Sequence, residues 1–481
     1  MPEINQQLSL RFAGDDRLSD KMKIGQFLYF IELNTPPLAQ PYDSAIALTI
    51  NQAKEFNKIP EVTAISITDR LLTEKCHDPV ETATRISKVI DKPIIMALSG
   101  KGSSFERIKT HLATAKSNGI NNILAVTGNV SDLHPYNAFS KLREYENGYF
   151  DSIDILHMAR KIDKDFKLGA VVSPYQYTPE GQCLQYAKMM KKIACGAQFI
   201  VTQSGWDMKK AQELLWFLQR RQQSISVFAR IPLIHLDEAK KLADGYQEGI
   251  YIPIPIATKI MQMARQDLDT FLDFQIDRIA LQVIGYRTLG FSGIQFTGVR
   301  NPSILKKIMD KIHELEKIYP DYNSWLQEWN NNYNLTNFAP LVAPHYLFKN
   351  LLQKDICEYK EKTAIIAGTA LPGPRVFDVL RNFVISLAFS KRMPHFVRNF
   401  VSYLYRYSPQ KMAKLAPCLY LNHRICPKRL VHGPCGSTQP NGFCECEDRT
   451  CFFHRVLHLA AFKKDFSLLE KDDYDSTKSS N

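Results

Sequence analysis

No stretch of the sequence reaches 18 consecutive apolar residues, which excludes a conventional membrane-spanning helix. Met1 to Asp20 is polar and has no apolar core, so no secretory leader is indicated and a cytoplasmic location is expected. No Gly-x-Gly-x-x-Gly turn follows the first candidate strand, which weighs against an open dinucleotide-binding sheet. Cys-x2-Cys pairs are missing, so a standard zinc ribbon is not supported. Acidic side chains are the minority: 49 Asp and Glu face 61 Lys and Arg, a net charge of +12. Such a balance attracts polyanions (nucleic acid, anionic membranes, or polyglutamylated and phosphorylated small molecules), or it is simply a basic but otherwise ordinary surface. Nucleic acid is not an expected partner.

What is present is an alternation. Short β-rich runs lie at Phe27–Leu33, Val62–Ile67, Pro93–Ala97, Asn122–Val126, Leu168–Val172, Gln198–Thr202, Ile225–Ile231 and Gly293–Thr297. Helical patterns separate them, among them Ala45–Phe56, Pro79–Ile90 and Ser104–Asn118. Strand and helix in alternation imply a parallel sheet. Eight repeats suit a closed barrel of about 250 residues. The fold class expected is therefore α/β: a (β/α)8 TIM barrel followed by a mostly helical, cysteine-rich, metal-binding C-terminal module. The 481 residues divide into an N-terminal extension (1–21), the barrel (22–305), a helical connector (306–352), the cysteine-rich domain (353–465) and a polar tail (466–481). In the stretch 353–416, Lys391, Arg392, Arg398, Arg406, Lys411 and Lys414 interleave with Phe396, Phe400, Tyr403, Leu404 and Tyr405. That pattern fits a docking surface for an acidic partner or a membrane face, or an amphipathic helix with a solvated basic side.

In such a barrel the chemistry sits where the strands end. The strand ends deliver Glu32, then Thr68 and Asp69, Ser99 with Gly100 and Lys101, Thr127 with Gly128 and Asn129, Ser173 to Tyr175, Gln203, and Thr297. Glu32 is a carboxylate in an otherwise apolar strand, followed by a Pro36-Pro37 turn. Desolvation would make it a general acid; a rim lysine or arginine would make it half of an ion pair. Spacing leaves both open.

Glu32 with Pro36-Pro37, Asn122 to Asn129 (NILAVTGN), and Gly196 to Gln203 (GAQFIVTQ) together resemble the methylenetetrahydrofolate reductase family. The resemblance implies that Glu32 is the acid protonating a folate nitrogen and that Gln203 binds the folate. It implies flavin contacts at Thr68, Ser99, Thr127, Gly128 and Asn129. Asn129 stands where the family has aspartate, and Ala97-Leu98-Ser99 where it has His-Leu-Thr. The cofactors implied are FAD, with FMN or no flavin as variants in the wider family, and NAD(P)H as electron donor. The activity implied is an oxidoreductase of the EC 1.5.1 type, serving methionine biosynthesis. Alternatives are a folate- or corrinoid-linked methyltransferase, or a non-catalytic barrel docking an electron-transfer partner. An oligomer is expected.

Six cysteines, Cys418, Cys426, Cys435, Cys444, Cys446 and Cys451, fall within 34 residues. Thiolates bind borderline metals, and four of them make a closed tetrahedral site. This stretch resembles the C-terminal domain of some methylenetetrahydrofolate reductases, which implies that Cys426, Cys435, Cys444 and Cys451 are the ligands. The upstream cysteines of that domain are absent from Tyr407–Ala413, so the expectation is one zinc ion rather than an iron–sulfur cluster.

Overall fold

The computed structural model describes residues 15–69, 76–100, 103–128, 149–236, 238–239, 250, 252–333, 345–348 and 371–471. Eight strands form a closed barrel in sequence order: β1 Leu28–Leu33, β2 Val62–Ile67, β3 Ile94–Ser99, β4 Asn122–Val126, β5 Lys167–Val172, β6 Phe199–Thr202, β7 Ser226–Pro232 and β8 Gly293–Thr297. Each pairs in parallel with its neighbours, and β8 closes on β1 through Leu28↔Gly293 to Ile31↔Phe296. The expected barrel is thus observed, with strand ends moved by at most two residues.

Alternation along each strand builds two cores. Leu28 and Phe30 point inward with Ala64, Ile95, Leu124, Phe199, Val201 and Phe228. Tyr29, Ile31 and Leu33 point outward against the helical ring. Helix Asp15–Ile24 sends Leu18 into the inner cluster, which closes the barrel at the end opposite Glu32. Glu32 has the parity of Leu28 and Phe30, one layer higher. It therefore faces the mouth, above the apolar inner cluster.

The helices start where side chains can cap them. Asp78 accepts from Val80 N (2.8 Å), Ser104 from Arg107 N (3.1 Å) and Asp207 from Lys209 N (2.9 Å), each replacing a missing intrahelical partner. In the connector, helix Tyr322–Tyr333 stacks Trp325 on Trp329 at 5.5 Å and lays both, buried, on helix Leu268–Leu289. Trp325 Nε1 donates to the Leu281 carbonyl (2.6 Å).

Within the described C-terminal residues, helices Val376–Ala388, His395–Leu404, Pro409–Ala413, Phe452–Phe462 and Ser467–Glu470 surround an irregular stretch that carries the cysteines. This unit does not stand apart. Barrel helix Pro179–Ala194 is buried at every position from Gly181 to Lys192, although Gln182, Gln185, Lys188, Lys191 and Lys192 lie on it. Its outward face is covered by the module, whose core includes Cys183, Leu184 and Ala187 of this barrel helix. Of the two sides of the basic stretch, the apolar one is turned outward: Phe396, Phe400, Tyr403 and Leu404 are exposed. The basic side is solvated as well, with Lys391, Arg392, Arg406, Lys411 and Lys414 exposed. No described helix is long and apolar enough to cross a membrane.

Candidate active site at the barrel mouth

Glu32 is 8% exposed and is surrounded by donors from the two strands that close the barrel. Arg230 Nη2, on β7, reaches Oε1 at 2.5 Å and Oε2 at 2.6 Å. From β8, Gln295 Nε2 donates to Oε2 (2.6 Å) and Thr297 Oγ1 to Oε1 (2.7 Å). Four hydrogen bonds from three side chains on two oxygens suit an ionised carboxylate, which accepts only. Of the two readings left open by the sequence, the ion pair is the one this geometry displays. Arg230 and Gln295 were not among the strand-end residues. They sit inside β7 and β8, at the inward parity of Phe228 and Gly293, and reach upward from one layer below the rim. Among the described residues Arg230 Nε is buried with no hydrogen-bond partner, a donor left over at the mouth.

The other sequence-selected residues occupy the same rim but are engaged differently. Gln203 follows β6, and its backbone N–H continues the ladder to the Val172 carbonyl (2.7 Å). Thr68 Oγ1 accepts from Thr35 N (3.1 Å) and so ties the turn after β1 to β2. Ser99 N donates to Asp69 Oδ2 (2.6 Å), and Asp69 also pairs with Arg107 (3.4 Å). Thr127 Oγ1 donates to Asp151 Oδ1 (3.0 Å), away from the barrel axis. Gly128 has φ +87°, a conformation that favours glycine, and its carbonyl accepts from Lys428 Nζ of the C-terminal module (2.8 Å). Asn129 lies outside the described residues. The Ser204-Gly205-Trp206 turn is fixed by packing: a Cβ on Gly205 would lie 2.2 Å from the Tyr175 ring, and Tyr175 in turn bonds Tyr286 (2.9 Å).

The C-terminal module therefore forms one wall of the mouth, over the exits of β4 and β5. Tyr177 N donates to the Pro440 carbonyl (2.9 Å) and Gln176 Nε2 to the Thr438 carbonyl (3.0 Å). Lys188 Nζ holds Asp151 Oδ2 and the Pro434 carbonyl, both at 2.9 Å. Burial opposes ionisation of Asp151, but the charges of Lys188 and His432 outweigh it and hold the carboxyl well below its usual range. Burial together with Lys188 pushes Lys192 down to about 7. Lys428 forms a buried ion pair with Glu445. None of these buried lysines was legible as such in the sequence.

Cys426, Cys435, Cys444, Cys446 and Cys451 line one cavity, and all nine described cysteines are free thiols. Cys418 lies apart, donating to the Leu415 carbonyl (3.2 Å). Among the described residues no three His, Cys, Asp or Glu side chains stand close enough together to hold a metal ion. The tetrahedral set expected at Cys426, Cys435, Cys444 and Cys451 is gathered around a shared space but is not closed. Burial pushes the Cys426 thiol up to about 12 and raises those of Cys435 and Cys451. A hydrogen bond with Cys446 lowers the Cys444 thiol to about 7.

Comparison with known proteins agrees with this architecture. The family model for methylenetetrahydrofolate reductase matches residues 17–313, and that for the methylene-tetrahydrofolate reductase C terminal matches 417–473. Methylenetetrahydrofolate reductase (NADH) 1 of Arabidopsis thaliana is 30% identical over 140 residues, which are 27% of this chain and 23% of that protein. A probable methylenetetrahydrofolate reductase (NADH) of Oryza sativa subsp. japonica is 27% identical over 139 residues, again 27% of this chain and 23% of that protein. The matched segment is thus under a quarter of the length of these curated relatives. A solved structure from Clostridium thermocellum, an uncharacterized protein that binds two copies of 5-methyl-5,6,7,8-tetrahydrofolic acid, aligns with a TM-score of 0.47 at 13% identity, over 63% of this chain and 100% of that one. With the barrel and its C-terminal extension both matched by the corresponding models, the chain belongs to the methylenetetrahydrofolate reductase family.

Proposed function

We propose that the chain reduces 5,10-methylenetetrahydrofolate to 5-methyltetrahydrofolate, with a reduced nicotinamide as the electron source. The observation that carries this reading is the Glu32–Arg230–Gln295–Thr297 cluster at the mouth of a barrel matched by the reductase family. The methylene carbon of the substrate bridges two nitrogens and resists hydride attack. Protonating one nitrogen breaks its bond to that carbon and leaves an iminium on the other. Hydride then adds to the iminium carbon and gives the methyl group. Glu32 supplies the proton; the nicotinamide supplies the hydride with its electron pair and leaves oxidised. Because every described contact of Glu32 is a donor, its carboxylate takes up a proton only as the pterin displaces Arg230, whose buried Nε supports such a second role. Gln203, on the same rim, is the pterin-orienting side chain by its motif.

A flavin, when bound, carries hydride between the two substrates. Thr68, Thr127 and Gly128 are already engaged in protein contacts, so these positions do not fit an open flavin cradle. The absorption spectrum of the purified protein tests FAD or FMN directly. The thiol set of the cysteine cavity suits zinc by donor chemistry, although the sulfurs as they stand do not close on an ion. Zinc binding would have to release protons and draw Cys426, Cys435, Cys444 and Cys451 together. Under this reading, Cys435→Ser lowers the zinc-to-protein ratio. An unchanged ratio removes Cys435 from the ligand set.

The decisive variant is Glu32→Gln. Removal of a general acid is expected to slow folate reduction by about 10²–10⁴-fold, while binding of the reduced nicotinamide is unchanged. A variant that reduces the folate at the parent rate eliminates Glu32 as the proton source.

A further inference from the structure

Helix Val376–Ala388 is oriented against its own composition. Its buried positions include Asp378 and Asn382 beside Ile385 and Ala388. Asp378 is held by Arg455 Nε (2.8 Å), Asn382 Nδ2 donates to the Leu419 carbonyl (2.9 Å), and Arg381 Nε donates to the Tyr420 carbonyl (2.7 Å). These contacts fix the helix with Val376, Phe377, Leu380, Phe383, Val384 and Leu387 on the exposed side. That spacing is a continuous stripe along all its turns. The next helix, His395–Leu404, adds Phe396, Phe400, Tyr403 and Leu404. Phe377 is 83% exposed and Phe396 is 72% exposed. Scattered apolar residues on a surface need no explanation, but a two-helix apolar face does.

The charge around this face has one sign. Between residues 371 and 431 the sequence holds eleven Lys and Arg and a single acid, Asp378, which is buried and paired. Arg375 precedes the first helix, Lys391 and Arg392 occupy the turn between the two, and Arg406 follows the second; all four are exposed. A second copy of this face would bring the same cations together, so charge opposes self-association here. The stripe on the first helix carries no polar side chain, whereas protein interfaces make about one hydrogen bond per 100–200 Å². Hydrocarbon demands none, because a helix satisfies its own backbone.

We propose that these two helices seat the protein on an anionic lipid surface. They lie in the interfacial plane, with Phe377, Leu380, Phe383, Phe396 and Phe400 entering the acyl boundary. Arg375, Lys391, Arg392 and Arg406 stay at the level of the headgroup phosphates. The attachment is peripheral and reversible, and it is independent of the chemistry at the mouth.

The test is flotation of the full-length protein with phosphatidylcholine vesicles, with and without phosphatidylglycerol. Light scattering of the protein alone is run beside it. Binding is expected to the anionic vesicles, with affinity at least about tenfold lower for the neutral ones and weakened by salt. Phe377→Asp and the double variant Lys391→Glu/Arg392→Glu are each expected to abolish it with unchanged melting temperature, since these side chains are exposed. Leu380→Asp, one turn along the same stripe, gives an independent reading if Phe377→Asp precipitates. The proposal is overturned if the parent protein fails to float with anionic vesicles, or if the apolar-face variants float as well as the parent. A dimer in light scattering that Phe377→Asp splits, with no flotation, assigns the face to a second copy instead.

Discussion

The barrel and the C-terminal module hold together by different means. The barrel has an apolar inner stack and an apolar outer shell, and its polar groups are spent at the mouth. The module completes its own core with Cys183, Leu184 and Ala187 of the barrel helix. It is fastened there by ammonium and amide groups aimed at backbone carbonyls. Apolar burial is non-directional and tolerates small shifts. Hydrogen bonds from buried cations tolerate few, because a misplaced partner leaves a desolvated charge. The module is therefore fixed in register on the β4 and β5 exits, where Lys428 reaches the Gly128 carbonyl.

The sharpest way to break this arrangement is Lys188→Met. The substitution keeps most of the side-chain volume but leaves Asp151 buried without its ammonium and strips two carbonyls of their donor. Uncompensated charge of this kind costs about 3–5 kcal/mol. The expected outcome in urea unfolding is an early loss of the module, ahead of the barrel, in place of a joint transition. A single transition with an unchanged midpoint would mean that apolar contacts carry the interface.

Acid provides a graded version of the same break. His454, on module helix Phe452–Phe462, is buried beside Gly442. Burial lowers its pKa from 6.5 to about 4 despite the nearby Glu180. The unfolded chain therefore takes up a proton more readily than the folded one. The stability this group contributes is present above pH 6.5 and is lost as pH falls towards 4. Asp151 has a lowered pKa, so its contribution is present above its ordinary 3.8 and is lost only at lower pH. Melting temperatures recorded from pH 7 downwards are expected to fall first in the histidine window. His454→Gln, which cannot titrate, flattens that part of the curve, and an unflattened curve assigns the loss to other groups.

Much of this fold was legible in the sequence because a parallel barrel buries both faces of its strands and so writes them as apolar runs. Val62–Ile67, Asn122–Val126 and Gly293–Thr297 have the same bounds in sequence and structure. Glu32 was conspicuous as a charge in such a run. Arg230 carries the same signal inside β7, with Phe228 two residues before it, but attention to residues after the strand ends passes over a long side chain rooted one layer lower. The lysines of helix Pro179–Ala194 were illegible for a different reason. Their pattern is that of a solvated face, and the partners of Lys188 include Gly433 and Pro434, some 245 residues further along the chain. The cysteine cluster was legible as a place, but its closure depends on charge and protonation that spacing does not encode.

The mildest perturbation separates directional contacts from simple covering. Gln185 Nε2 donates to the Cys435 carbonyl (2.9 Å), joining the barrel helix to the wall of the cysteine cavity. Gln185→Leu keeps the apolar cover and removes one hydrogen bond, whose net worth is about 1 kcal/mol. The expected result is a small loss of stability with faster hydrogen exchange at the amides around Cys435, while exchange in β1 to β8 is unchanged. Exchange that rises equally in the strands would show that the module and barrel unfold as one unit, and the distinction between a self-sufficient barrel and a borrowed core would fail.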